Sequence, residues 1–168
     1  MEKKMSHITA GLIIAGVLIV YSMVLTFLDL STNQALGMLS LGILIGMLIY
    51  FVTQYGKSVE HNATFGQLFS FGFKATAVAT IISIAFQLLF FVIFPEYKDK
   101  ITEMQREQMY QRGMTDAQVE QAMTFTAKFF YAFLIGGALV GNLIFGAIGS
   151  LIGAAITKKN PQTPFQQP

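Results

Sequence analysis

The sequence FFYAFLIGGALVGNLIFGAIGSLIGAAI, residues 129–156, carries no Asp, Glu, Lys or Arg along its whole length. A helix needs about 20 mainly apolar residues to cross the hydrocarbon core of a bilayer. This stretch exceeds that length, so it predicts a helix that spans a membrane.

Three further runs have the same character, at residues 8–28, 35–55 and 75–94. One such run could be a buried helix of a soluble protein, but four within 168 residues favour a membrane protein. We therefore predict an all-α integral membrane four-helix bundle within residues 1–157, followed by a disordered cytoplasmic tail at residues 158–168. The first run is too long for the apolar part of a signal peptide and is not followed by a small-residue cleavage site, so we expect an uncleaved span.

The distribution of lysines predicts the orientation of the spans. A lysine pair precedes the first span, and a second pair, Lys158 and Lys159, follows the last. Residues 29–34, between the first two spans, contain no Lys or Arg. The positive-inside rule then places both termini in the cytoplasm, with the spans in the bacterial inner membrane. The basic residues of the loop at 95–128 argue the other way, although that loop is long and also acidic.

The connection between the third and fourth spans is polar, and EYKDKITEMQREQMYQRGMTDAQVEQAM occupies residues 96–123. Its apolar residues Tyr97, Ile101 and Met104 recur at helical spacing, and the Arg-Gly pair that follows is typical of a helix end. A second helix begins immediately afterwards. The pattern predicts an extramembrane helical hairpin over residues 96–128.

Capping boxes, in which Ser or Thr and a Gln three residues later satisfy each other's backbone N–H, mark three helix starts. They pair Ser31 with Gln34, Thr64 with Gln67, and Thr115 with Gln118. The helix that begins after Thr115 meets no breaker before Ile156, which predicts a continuous rod of about 60 Å.

The hairpin has two interpretations, a solvated spacer or a surface that binds a partner. The spacer is the simpler interpretation, but a connection of this length is unnecessary for joining adjacent helices, which is the argument for the second. The partner surface would then consist of the apolar residues Tyr97, Met104, Met109, Tyr110 and Met123. Methionine and tyrosine are enriched at adaptable protein-binding surfaces, so we expect serine at Met109 and Tyr110 to release the partner.

The segment FGQLFSFGFK, residues 65–74, leads into the third span. Phe69, Phe73 and Lys74 are predicted to form an interfacial anchor, with Lys74 reaching towards the lipid headgroups. A contact with a specific lipid or substrate is the alternative.

Glycines recur at i,i+4 spacing in two spans. The pairs are Gly42 and Gly46, Gly137 and Gly141, and Gly149 and Gly153. Small residues let helix backbones approach closely in lipid, so the pairs predict packing of spans two and four, with homodimerisation as the alternative. Leucine at Gly141 is accordingly expected to disrupt the bundle more than alanine at Leu143.

Two amide side chains lie inside the predicted spans, Gln87 in the third and Asn142 in the fourth. They are predicted to be helix-packing residues that pair across the two spans, since amides can link helices in lipid. A role in binding a substrate is the alternative.

The chain has few residues of the kinds that catalysis or metal binding requires. There is no cysteine, and His7 and His61 lack a second metal ligand at useful spacing. The spans contain no Asp, Glu, Lys or Arg, and no nucleophile–base set or phosphate loop can be assembled. The net charge of +2, without clustered basic residues, does not suggest a nucleic-acid surface. We therefore predict no enzyme activity, no cofactor, no metal and no nucleic-acid partner.

Five motifs stand in a characteristic order: AGLIIAG in the first span, TFGQLFSFGFK before the third, FPEYKDK after it, RGMTDAQVEQAM in the polar block, and GSLIGAAITKKNP at the close. In this order the chain resembles an uncharacterised family of small four-span membrane proteins of the Bacteroidetes, domain of unknown function 4199. The resemblance covers residues 8–161 and implies an inner-membrane protein without an assigned activity. It supplies no catalytic residues.

We interpret the chain as a non-enzymatic accessory or scaffold subunit that presents its hairpin on the extracytoplasmic side. Its partners would be the lipid bilayer and either another membrane protein or a second copy of the chain. The alternative is a small oligomeric transporter or lipid-linked carrier component. Its polar path would be lined by Gln87, Asn142, Thr80 and Ser83.

The topology is open to a direct test because the natural chain has no cysteine. We expect a membrane-impermeant thiol reagent to label Gly113→Cys in intact cells and to label Asn160→Cys only after lysis, since the lysine pairs place the termini inside. Labelling at position 160 but not at position 113 would reverse the orientation.

Overall fold

The computed structural model describes residues 5–31 and 33–160, which fold into helices without a strand in those ranges. The helices are α1 (His7–Phe27), α2 (Gln34–Ser58), α3 (Phe65–Ile93), α4 (Glu96–Gln111) and α5 (Asp116–Ile156). By length and composition, α1, α2, α3 and α5 could each cross a membrane, which confirms the prediction of an all-helical chain with four long apolar helices. The lysine pair at Lys3 and Lys4 and tail residues 161–168 lie outside the described residues.

One of the three predicted capping boxes is complete, and one of the two bonds of a second is present. The Gln67 backbone N–H donates to Thr64 Oγ1 (3.3 Å), and the Thr64 N–H donates to Gln67 Oε1 (2.9 Å). Before α5, the Thr115 N–H donates to Gln118 Oε1 (3.0 Å). Gly113, between α4 and α5, has a φ of +79°, the left-handed conformation that glycine adopts without a steric penalty.

The predicted box at Ser31 is wrong, because Asn33 caps α2 instead. Asn33 Oδ1 accepts the N–H groups of Ala35 (3.0 Å) and Leu36 (3.3 Å). Asparagine is at least as good an N-cap as serine, and it stands directly before the first helical residue.

Helix α5 is not the continuous rod that the sequence predicts. Phe129 has φ −111° and ψ 17°, outside the helical region, and the helix kinks there. Kinks normally accompany proline, glycine–serine pairs or inserted groups. The neighbouring Lys128 and Phe130 give no such signal.

The described residues form two compact units. Unit 1 lies within Met1–Ser83 and Val140–Pro168, and unit 2 within Ile84–Leu139. Helices α1, α2, α3 and α5 all contribute to the core of unit 1. Its fully or almost fully buried apolar side chains include those of Ala10, Ile14, Leu44, Leu48, Val52, Leu68, Ala75, Ala79 and Ala154.

Helices α3 and α5 meet in unit 1 through two reciprocal glycine–hydroxyl contacts. A Cβ built on Gly72 would lie 2.9 Å from Ser150 Cβ, and one built on Gly146 would lie 2.6 Å from Thr76 Oγ1. The spacing is four residues on both helices, and the order is reversed between them. The two helices therefore run antiparallel in a single register, at a separation that excludes a side chain at either glycine.

Each hydroxyl in this contact is satisfied within its own helix. Thr76 Oγ1 donates to the Gly72 carbonyl (3.0 Å), and Ser150 Oγ donates to the Gly146 carbonyl (2.6 Å). Burying a hydroxyl without a partner is costly, so these bonds let polar side chains occupy the buried interface.

The predicted glycine pairs differ in their surroundings. Gly149 and Gly153 lie against α2, since a Cβ there would come within 3.2 Å of the Ile45 Cα and 2.9 Å of the Val52 Cβ, respectively. A Cβ at Gly42, Gly46, Gly137 or Gly141 would meet no atom within 4 Å. Within this chain, then, spans two and four pack through the last pair, and the expected close packing at Gly141 is wrong.

The α2–α3 loop is fastened to the residues after α5. Glu60 and His61 both have positive φ (53° and 61°). Asn160 donates to the Glu60 carbonyl through Nδ2 (2.7 Å) and to the His61 carbonyl through its backbone N–H (3.0 Å). His61 Nδ1 lies 2.8 Å from the Lys158 carbonyl and must donate to it. Residues 158–160, which were predicted to be disordered, are therefore hydrogen-bonded.

A pair of alanine substitutions on α5 tests this packing. Gly146→Ala places a methyl group against Thr76 and is expected to lower the free energy of unfolding by about 1–3 kcal/mol, as overpacking does. Gly141→Ala meets open space and exchanges glycine for a better helix former, so it is expected to raise that free energy by about 0.5–1 kcal/mol. Thermal unfolding of both variants in one detergent measures the difference. Equal midpoints would contradict the α3–α5 contact.

Candidate functional site

Unit 2 has a small apolar core on one face of α5. Val119, Met123 and Phe130 are buried, and their spacing of four and seven residues puts them on one side of the helix. The Phe91 ring of α3 meets the Phe130 ring edge-on at 5.6 Å. Ala122, on the same side of the helix, is half-buried.

Helix α4 contacts this core through its first turn. The Lys98 ammonium lies 5.1 Å from the centres of both the Phe130 and Tyr131 rings, within range of a cation–π interaction. The Tyr97 ring lies 5.3 Å from that of Phe90. The predicted apolar stripe of Tyr97, Ile101 and Met104 is half-buried, so it is the inner face of α4.

The residues predicted to form a partner surface fall into three environments. Met123 is 5% exposed and belongs to the core, so its assignment to an exposed surface is wrong. Tyr97, Met104 and Met109 are half-buried. Only Tyr110 among the five is well exposed, at 45%.

A surface cleft of about 830 Å³ lies along the first half of α5. Its lining residues combine apolar, amide and cationic groups: Met114, Gln118, Gln121, Ala122, Thr124, Phe125 and Lys128. Phe125 is 56% exposed, and its ring lies 4.8 Å from that of Phe129 and 5.7 Å from that of Phe133. The sequence reasoning missed this aromatic row, although phenylalanines at i, i+4 and i+8 are the signal that would have found it.

The other predicted site residues do not gather into a reactive centre. Gln87 is exposed, so it is not half of a buried amide pair, and Asn142 is half-buried. The Phe69 and Phe73 rings stack at 5.8 Å, next to the exposed Lys74. Across residues 5–31 and 33–160, no three His, Asp or Glu side chains are grouped as metal ligands would be.

These features define a class of protein, an all-helical chain with four helices suited to crossing a membrane and a polar helix before the last of them. The chain belongs to the family described as Protein of unknown function (DUF4199), which matches residues 9–159. Comparisons with curated proteins and with solved structures give no match.

Two substitutions separate core from surface in unit 2. Met123→Ala is expected to lower the free energy of unfolding by about 2–5 kcal/mol, because it empties a buried position. Tyr110→Ala is expected to change it by no more than about 0.5 kcal/mol, because its side chain is well exposed. Chemical unfolding in detergent, followed by circular dichroism, compares them. A larger loss for Tyr110→Ala would show that Tyr110, rather than Met123, is structural.

Proposed function

We propose that the chain is a non-enzymatic multi-pass protein of the bacterial inner membrane, with both termini in the cytoplasm. In this role it is an accessory or scaffold subunit, and α4 with the first half of α5 forms an extracytoplasmic hairpin that docks a partner membrane protein. The observation that carries the proposal is the exposed Phe125 ring beside a surface cleft of unit 2, apart from the buried Val119, Met123 and Phe130.

Insertion in a membrane is supported by the outward faces of the four apolar helices. Large apolar side chains are exposed on each of them, including those of Val20, Leu39, Leu89, Val92, Val140 and Ile156. Exposing such area to water costs about 25 cal/mol per Å², whereas lipid tails match it. Helices also satisfy their backbone polar groups internally, as the hydrocarbon core requires.

The chemistry of the cleft suggests the kind of partner. Phe125 offers a large rigid aromatic ring, and Gln118 and Gln121 offer amide donors and acceptors beside it. Lys128 adds a positive charge at the same edge. An amphipathic helix of another membrane protein, with an apolar anchor and a carboxylate, complements this set, because aromatic anchors within a polar rim typify binding hot spots.

Transport by a small oligomer, or a role as a lipid-linked carrier component, is the second candidate. Among the described residues the buried Ser83 hydroxyl has no hydrogen-bond partner, and this unsatisfied polar group within a span is the observation that supports this candidate. The hydroxyls of Thr76, Ser150 and Thr157 instead donate to carbonyls of their own helices. These hydroxyls are therefore better explained by helix packing than by a polar path for a substrate.

The docking surface is tested with the double variant Tyr110→Ser and Phe125→Ser. We expect it to keep its thermal stability in detergent and to lose at least about tenfold of the partner recovered by affinity purification, since two aromatic anchors contribute several kcal/mol. The matched control is Glu107→Ser with Gln108→Ser, which changes two exposed polar residues of α4 and should retain the partner.

Photocrosslinking from position 125 identifies what lies on the surface. Crosslinks to one other membrane protein support the scaffold role, and crosslinks to the chain itself indicate a homodimer. If both double variants recover the same proteins as the natural chain, the hairpin is a spacer and the docking proposal fails.

A further inference from the structure

A second cavity, of about 620 Å³, lies in unit 1 beside the first residues of α1 and the first turns of α3. Its wall includes the polar or cationic side chains of Ser6, His7, Gln67, Ser70 and Lys74. None of its described lining residues carries a carboxylate. The cavity therefore offers hydrogen-bond donors and a positive charge without a competing negative one.

Three of these groups come from a single stripe of α3. Gln67, Ser70 and Lys74 are spaced three and four residues apart, which brings them onto the same face of the helix. An amide N–H, a hydroxyl and an ammonium thus face one volume. Phosphate oxygens accept such donors well, and the ammonium neutralises their charge.

The same cavity has an apolar wall. Phe71 is buried and stacks on Tyr55, with ring centres 4.2 Å apart and planes 6° from parallel. Both rings line the cavity, as does Met5. A soluble phosphate ester gains little from such a wall, whereas the glycerol and first acyl methylenes of a phospholipid bury apolar area against it.

We propose that this cavity binds the phosphodiester headgroup of an anionic phospholipid, with Lys74 as the charge partner and Ser70 and Gln67 as hydrogen-bond donors. The site lies where α3 begins its apolar run, beside the stacked Phe69 and Phe73 rings. Lysine at such a position reaches the headgroup region while its methylenes stay in apolar surroundings. The proposal depends on insertion in a membrane but not on the docking role of the hairpin.

The test uses the full chain in nonionic detergent and counts bound phosphatidylglycerol by native mass spectrometry during a lipid titration. Lys74→Gln is expected to weaken phosphatidylglycerol binding about tenfold, the loss expected for one charge-assisted hydrogen bond. Lys74→Arg keeps the charge and should retain most of the binding. Lys57→Gln is the matched control, because Lys57 is an exposed lysine near the end of α2 that does not line the cavity.

Two further probes separate specific recognition from general attraction. Phosphatidylcholine, which has the same phosphodiester but also a quaternary ammonium that offsets its charge, should bind more weakly and lose less binding than phosphatidylglycerol in Lys74→Gln. Glycerol phosphate should displace phosphatidylglycerol poorly, because it lacks the apolar part. Ser70→Leu narrows the cavity without changing the charge and should also weaken phosphatidylglycerol binding.

Equal losses in Lys74→Gln and Lys57→Gln would show a diffuse surface effect and overturn the site. Efficient displacement by glycerol phosphate would overturn the lipid assignment and leave a site for a soluble phosphate ester. Failure of the hairpin variants to lose a partner would leave this result unchanged, so the two proposals can fail separately.

Discussion

The contact between α3 and α5 in unit 1 sets the positions of the groups around it. Because Gly72 faces Ser150 and Gly146 faces Thr76, the two helices can approach only in the antiparallel register that matches these pairs. A shift by one turn in one direction would bring the Thr76 hydroxyl against the Ser150 hydroxyl, and a shift in the other direction would bring Gly72 against Gly146. The register then fixes the height of Gly149 and Gly153 against α2, and the helix that holds Gly72 also carries Ser70 and Lys74 to the cavity wall.

Composition predicts the four long helices because apolar runs of this length have few alternatives, and the Thr64 and Thr115 boxes predict local starts because capping needs only neighbouring residues. The positions at which the helices pack and bend depend instead on tertiary contacts. The i,i+4 glycine pattern occurs at Gly137 and Gly141 as well as at Gly149 and Gly153, yet only the second pair meets α2. The kink at Phe129 has no local signal. Met123 was assigned to a surface although its spacing from Val119 already placed it on the inner face.

The site was harder to predict than the fold, because its groups are ordinary residues gathered by the fold. Phe125 lies just before the last apolar run, where a phenylalanine gives no separate sign of a binding surface. The cavity beside Lys74 draws on residues at the start of α1 and near the end of α2 as well as on α3. No motif search joins Ser6, Tyr55 and Ser70. Sequence reasoning singled out Lys74, which it predicted to be an interfacial anchor, because one cation next to an apolar run is a local pattern.

Polar side chains that are hydrogen-bonded within their own helix differ from those that can still bind a ligand. In unit 1, the hydroxyls of Thr76, Ser150 and Thr157 each donate a hydrogen bond to the carbonyl four residues earlier. Their donors are therefore satisfied by nearby backbone of the same helix. Ligand recognition must therefore use other donors, such as the Lys74 ammonium on the cavity wall. Lys74 can donate in three directions, and its ammonium needs a counter-charge that the described lining of the cavity does not provide. Because four helices of the chain are suited to crossing a membrane, a lipid phosphate is the counter-charge that we propose for it.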